Sequence, residues 1–392
     1  MLIVDDNADN RDVLARRLKR LGYGNVAFAE DGIEAMAAIG AATGTESFDA
    51  VLLDVMMPRM NGIEVLEALR TTNQLEALPV IMISASTEID TVVRCIELGA
   101  EDYLPKPFNP ILLRARLGSV LEKRALRSEL RRQLTRLESE MAEAARQQIS
   151  MVPTEFPRYE RIRDGRQLIV ETHGAMHPAR EVGGDLYDCF QAGADTLCFI
   201  VGDVSGKGMP AALFMARARS LLRALTLQFT AAAGVAPKPS ELLAVVNAEL
   251  CKNNPLCMFI TLFIGFLDLP TGALVYTNAG HVRPYLLPAD GAAHELDSRP
   301  AMPLGVMEDA MHADSTLHLN RGDGIVVITD GLPEMMNPQG EFYTLERVQA
   351  DLDTQKGASA EALIGHLVNQ VMRFGDGAEQ ADDVTVLAIR VL

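Results

Sequence analysis

Over its first 120 residues the chain alternates short apolar runs with amphipathic stretches, and that alternation leaves few folds open. The runs Leu2 to Val4, Val26 to Ala29, Val51 to Asp54, Val80 to Ser84 and Tyr103 to Leu104 are too short for helices. Between them lie helical patterns that end near Leu21, surround Ile39, and cover Val65 to Leu69 and Val92 to Leu98. Five strands separated by helices predict an α/β domain, a doubly wound parallel sheet that binds its ligands outside the carboxyl ends of the strands. Such a sheet gathers Asp5, Asp6, Asp54, Ser84 and Lys106 at one edge.

Carboxylates converging there would repel one another unless a cation or proton intervened. A hard divalent ion resolves the conflict, and Mg²⁺ suits it because Mg²⁺ keeps waters and accepts phosphate oxygens. A lysine and a hydroxyl on neighbouring strand ends would then face the anion held by the metal. The motifs Ile3-Val-Asp5-Asp6-Asn7, Leu53-Asp54-Val-Met-Met-Pro58-Arg-Met-Asn-Gly62, Ser84-Ala85 and Tyr103-Leu-Pro-Lys106-Pro107-Phe108 resemble the receiver domain of bacterial two-component response regulators, over residues 1–120. The resemblance implies that Asp54 accepts a phosphoryl group from a sensor histidine kinase. It implies that Asp6, Asp54 and the Met56 carbonyl ligate Mg²⁺, with Asp5 assisting through water. Ser84 and Lys106 would bind phosphoryl oxygens, Tyr103 would move on activation, and the Lys106–Pro107 bond would be cis. The chain starts four residues before Asp5, fewer than such domains usually carry.

From Asn109 to Gln148 there is no convincing breaker apart from Gly118, so the stretch predicts one long helix or two nearly continuous ones. Leu130, Leu134, Leu137, Met141 and Ala144 alternate spacings of four and three, a coiled-coil seam of about two heptads that predicts a homodimer through a linker over 121–157. Pro153 and Pro157 end the helix. Beyond them the texture changes to strand-like runs at Leu168 to Thr172, Thr196 to Val201, Phe259 to Leu267, Ala273 to Asn278, Pro284 to Leu287, Gly324 to Thr329 and Val384 to Val391. Helical segments at Pro210 to Phe229, Ser240 to Cys251 and Ala360 to Phe374 interrupt them, and many strands with few helices predict an α+β domain over 158–392.

This second part carries acids in glycine-rich turns: Gly183-Gly184-Asp185, Gly202-Asp203-Val204-Ser205-Gly206-Lys207-Gly208, Thr329-Asp330-Gly331 and Ala381-Asp382-Asp383-Val384-Thr385. None of the seven histidines has a metal-like spacing, so oxygen-only ligation selects Mg²⁺ or Mn²⁺ over zinc. Two such ions can activate a bridging water for in-line phosphoryl displacement. The Gly202 to Gly208 turn is no nucleotide loop, because Met209 follows Gly208 and no hydroxyl follows Lys207.

Together with Val182-Gly-Gly-Asp185-Leu-Tyr-Asp188, Asn278-Ala-Gly-His281 and Pro303-Leu-Gly305, these motifs resemble the bacterial branch of the type 2C metal-dependent Ser/Thr protein phosphatases, the sporulation and stress-response sigma-regulator phosphatases. The resemblance implies a β-sandwich flanked by helices. Its metal shell would be Asp185, Asp203, the Val204 carbonyl, Asp330 and Asp382, with Asp383 beside the last and the choice between the pair open. Eukaryotic relatives place a histidine near the second motif as general acid; here Ser205 and Lys207 flank that place, and His281 reads as structural. The implied substrate is a phosphoserine or phosphothreonine on an anti-sigma-factor antagonist. A catalytically silent adaptor on the same fold stays open as an alternative.

Composition narrows the classes further. The 36 Lys+Arg against 53 Asp+Glu leave a net charge of −17, which argues against nucleic acid as a partner, as does the lack of a basic recognition helix. The longest apolar run, Met258 to Leu267, is too short to span a membrane and reads as a buried strand. The acidic N-terminus is no secretory signal, which predicts a cytoplasmic protein. Five cysteines with no Cys-x-x-Cys pair predict neither disulfides nor zinc.

Overall fold

The computed structural model describes residues 1–42, 47–85, 89–163, 166–299 and 301–392. Two compact units divide the chain, Met1–Leu137 and Glu138–Leu392.

The first unit runs β1 (Leu2–Val4), α1 (Ala8–Arg20), β2 (Ala27–Ala29), α2 (Gly32–Ala41), β3 (Val51–Asp54), α3 (Gly62–Thr71), β4 (Val80–Ser84), α4 (Ile89–Glu97), β5 (Asp102–Pro105) and the first part of α5 (Pro110–Ile149), whose residues from Glu138 on belong to the second unit. All its strands are parallel, in the order β2-β1-β3-β4-β5. Side chains on a strand alternate faces, so Leu2, Val4, Leu53 and Met82 pack with Val65, Leu66 and Leu69 of α3, while Ile3, Leu52 and Ile83 pack with Leu14 and Leu18 of α1 and Leu113 and Leu117 of α5. Burial on both faces is why these strands read as unbroken apolar runs. Asn61 and Glu64 form a capping box that starts α3 just behind Asp54. Only glycine fits at position 62, since a Cβ there would lie 2.1 Å from the Asp54 carbonyl oxygen.

The helix α5 is one continuous element of 40 residues, the first of the two arrangements its sequence allowed. The second unit follows with β6 (Tyr159–Arg163), β7 (Arg166–His177), β8 (Leu186–Gln191), β9 (Thr196–Val204), α6 (Met209–Ala233), α7 (Pro239–Cys251), β10 (Ile260–Asp268), β11 (Ala273–Ala279), β12 (Tyr285–Leu287), β13 (His294–Glu295), β14 (Ser315–His318), β15 (Gly324–Ile328), α8 (Leu345–Thr354), α9 (Ala360–Phe374) and β16 (Val384–Val391). Its two antiparallel sheets have the orders β14-β11-β10-β9-β8 and β13-β12-β15-β16-β7-β6.

Three apolar layers hold this sandwich together. Phe199, Val201, Phe263, Val327, Leu387 and Ile389 meet between the sheets. The alternate residues Ile200 and Ile264 face Leu222 of α6 and Leu243 of α7, and Val326, Ile328 and Val386 face Leu363 and Leu367 of α9. The result is the helix-flanked β-sandwich expected from the motifs. The sequence did not announce β6, β8, β13, β14 or α8. Strand β14 is an edge with alternating partial exposure, and α8 begins after Thr344 with no side-chain cap. No helix among the described residues is long and apolar enough to cross a membrane.

Candidate functional site

In the first unit β1, β3, β4 and β5 deliver Asp5, Asp54, Ser84 and Lys106 to one edge because the strands are parallel and end in register. Asp5, Asp54 and Ser84 are buried, and Asp6 is exposed. Carboxylate oxygens of Asp5, Asp6 and Asp54 lie within 4.8 Å of one another. The Lys106 Nζ sits 2.8 Å from Asp5 Oδ2 and 2.7 Å from Asp54 Oδ2, so Asp5 meets the lysine directly. Asp5 Oδ1 accepts from the Asn7 amide and the Asn10 side chain, both at 3.0 Å. Tyr103 hydrogen-bonds Ser84, and the Lys106–Pro107 peptide is cis. Met56 is 73% exposed beside this edge.

Burial raises the Asp54 carboxyl above its ordinary range, with the Asp5 and Asp6 charges adding to the rise and Lys106 opposing it. Burial pulls Lys106 down, yet its hydrogen bonds to Asp5 and Asp54 leave it raised and firmly charged. A cradle of three crowded carboxylates facing one cation is incomplete without further positive charge. An oxygen-only donor set of this kind fits Mg²⁺.

In the second unit four turns meet at one edge of the sandwich. Leu186 pairs with Gly202, so Asp185 at the entry to β8 lies beside Asp203 of β9, and Val204 closes that strand beside Gly184. Ile328 pairs with Val386, so Asp330 after β15 lies beside Asp382 and Asp383 before β16. The Thr329 hydroxyl joins the two sheets, donating to Asp185 Oδ2 at 2.8 Å while accepting from the Thr385 amide at 3.0 Å.

Asp382 and Asp383, adjacent in sequence, are separated by their partners. Asp383 is buried and accepts the amides of Ala179 (2.8 Å), Gly184 (2.7 Å) and Asp185 (3.3 Å). Asp382 stands at the rim, 3.0 Å from Lys207 Nζ, and the same lysine donates to the Ala381 carbonyl.

The electrostatics are those of acids crowded without counter-charge. Burial, then the Asp203 and Asp383 charges, hold Asp185 well above the carboxylate range. Burial, then Asp330, Asp382 and Asp383, push Asp203 up to about 7, and the two side chains are hydrogen-bonded. Asp330 is raised by burial and Asp382, and Glu334 by burial, Asp330 and Asp382. Among the described residues no three of these acids come within 4.8 Å of one another. An all-oxygen donor set whose buried acids repel one another fits hard divalent cations, which would relieve that repulsion.

His281 is buried, with Nδ1 2.9 Å from the Thr261 hydroxyl, and Asn278 ties both its backbone groups. Burial lowers its imidazole to about 4. Asp188 is likewise no ligand: it is buried between Arg219 (2.9 Å) and Arg223 (2.8 Å), which fasten α6 to β8. Two supporting residues carried no signal in the sequence, Asn10 behind Asp5 and Gln148 at the end of α5. A lone amide in a polar helix looks like a solvated face.

Residues 193–392 match the family profile Stage II sporulation protein E (SpoIIE), and residues 1–118 match the response regulator receiver domain. The chain belongs to the SpoIIE family. It therefore combines a receiver domain with a phosphatase domain of type 2C fold. Protein IcfG of Synechocystis is 31% identical over 247 residues, which is 56% of this chain and 37% of the relative. The transcriptional regulatory protein CpxR of Escherichia coli is 44% identical over 124 residues, 31% of this chain and 49% of the relative. The chain thus spans less than half the length of either. The SiaA-PP2C domain of Pseudomonas aeruginosa shares the fold, with a TM-score of 0.54 at 19% identity, covering 66% of this chain and 98% of that one.

Proposed function

We propose that this SpoIIE-family chain is a response regulator whose output is a metal-dependent phosphoprotein phosphatase, with the receiver over 1–120, a helical linker over 121–157 and the phosphatase over 158–392. The observation that carries the reading is the convergence of Asp185, Asp203, Asp330 and Asp382 on one edge, with Asp185 tied across the sheets by Thr329. Acids so arranged cost stability unless they hold cations.

In this reading Asp185, Asp203, the Val204 carbonyl, Asp330 and Asp382 hold two Mn²⁺ or Mg²⁺, while Asp383 orders the loop that carries Asp185. Bound there, the ions would supply an activated water and neutralise charge on the phosphoryl oxygens. Lys207 is held at the rim by Asp382 and the Ala381 carbonyl, where it faces the approach of an anionic phosphomonoester. In the receiver, Asp5, Asp6, Asp54 and the Met56 carbonyl hold Mg²⁺. Asp54 accepts the phosphoryl group of a sensor histidine kinase, and Lys106 and Ser84 bind its oxygens. Tyr103, bonded to Ser84, is placed to report that event. The substrate is a phosphoserine or phosphothreonine on an anti-sigma-factor antagonist in the cytoplasm, and family likeness supports it.

The test is hydrolysis of p-nitrophenyl phosphate by the full chain with Mn²⁺. Asp330→Asn should lower the rate by more than the roughly 10–100-fold that losing an outer-shell partner costs, while the metal-free protein unfolds at the same temperature or higher because one repelling charge is gone. An active Asp330→Asn removes that residue from the shell. No turnover by the unsubstituted chain on this ester or on phosphoprotein favours the adaptor.

A further inference from the structure

The helix α5 reaches into the phosphatase site through one side chain. Of the described residues between 121 and 150, only Gln148 is buried, at 6% exposure. A buried amide needs partners for both its atoms. Gln148 finds both on one residue: Nε2 donates to the Gly183 carbonyl at 2.6 Å, and Oε1 accepts the Gly183 amide at 3.1 Å. Asp383 also presses on Gly183, for its Oδ2 would lie 2.0 Å from a Cβ at this position. The loop is thus gripped twice, by Asp383 from within the sandwich and by Gln148 from α5. Asp185 lies two residues further along the gripped segment. The helix end is itself anchored, because Val152 enters the core between the sheets and the Tyr187 hydroxyl of β8 donates to the Pro153 carbonyl at 2.7 Å.

We propose that Gln148 is a positioning residue of the phosphatase: its amide fixes the backbone of Gly183 and so the place of Asp185, and it is the contact by which the state of α5 reaches the carboxylate cluster. The regulatory half rests on the reading of Asp185 as a metal ligand, whereas the clamp stands on its own geometry. The requirement is specific to glutamine. Leucine of similar size offers neither a donor nor an acceptor. Glutamate keeps an acceptor for the Gly183 amide but loses the donor to its carbonyl.

The test is amide hydrogen exchange of the segment 179–186 in the full chain and in Gln148→Leu, with Mn²⁺ binding measured by calorimetry. The expected result is roughly tenfold faster exchange of the 183–185 amides and about tenfold weaker Mn²⁺ binding, the scale on which an outer-shell partner acts. Gln148→Glu, retaining one of the two bonds, should fall between, and it carries the test if the leucine variant does not fold. Loading the receiver with beryllofluoride should change exchange at 183–185 in the unsubstituted chain and leave it unchanged in Gln148→Leu. Exchange at these amides equal to the unsubstituted chain in both variants would overturn the clamp. Faster exchange in a chain that hydrolyses nothing would support the clamp and count against the phosphatase; unchanged exchange in an active chain would do the reverse.

Discussion

Asp382 and Asp383 carry the same functional group in adjacent positions and have opposite surroundings. Three backbone amides saturate Asp383 in the interior, while Asp382 faces Lys207 at the rim. The sequence could bring both to the site but could not divide them, because the division depends on amides some 200 positions away. His281 shows the same dependence. Its neutrality follows from burial that no motif reveals, and it carries a consequence for pH. The unfolded chain takes up the imidazole proton near 6.5, and the native protein refuses it until about 4. Stability is therefore full above about pH 6.5 and is lost as pH falls toward 4, by on the order of 3 kcal/mol from this residue. Urea unfolding at pH 7.5 and 4.5 should show a smaller loss in His281→Gln than in the unsubstituted chain. Equal losses would mean the ring is not held neutral.

At the scale of elements, the parallel sheet was legible because each strand is short, apolar and buried on both faces, and because a parallel register sends every carboxyl end to one edge. The acids in glycine turns were legible as a set for a related reason: neighbouring strands carry them to one end of the sandwich. Elements whose stability is borrowed from neighbours were not. Strand β14 is an exposed edge, β8 mixes polar and apolar residues inside a motif, and Gln148 follows Arg146 and Gln147 in an unremarkable polar run. On α5, Leu126, Leu130, Leu134 and Leu137 are 65%, 58%, 51% and 57% exposed, an apolar row that stays uncovered within a single chain among the described residues. The homodimer expected from the heptad spacing would cover it with a second copy of the helix. Replacing Leu130, Leu134 and Leu137 with alanine should halve the sedimentation mass of a dimer. An unchanged mass would assign the pairing elsewhere or abolish it.

At the scale of the molecule, one chain of net charge −17 carries a receiver domain and a type 2C phosphatase fold, and the proposed function couples the two. In that proposal phosphorylation at Asp54 would alter charge at one strand edge; α5 begins four residues after Lys106, and its Gln148 bonds Gly183. The most direct test of this coupling is the Mn²⁺-dependent rate on p-nitrophenyl phosphate with and without beryllofluoride, in the full chain and in Asp54→Asn. The expected result is a rate that differs between the two receiver states in the unsubstituted chain and does not differ in Asp54→Asn. Equal rates in both states of an active, unsubstituted chain would contradict control of the phosphatase by the receiver.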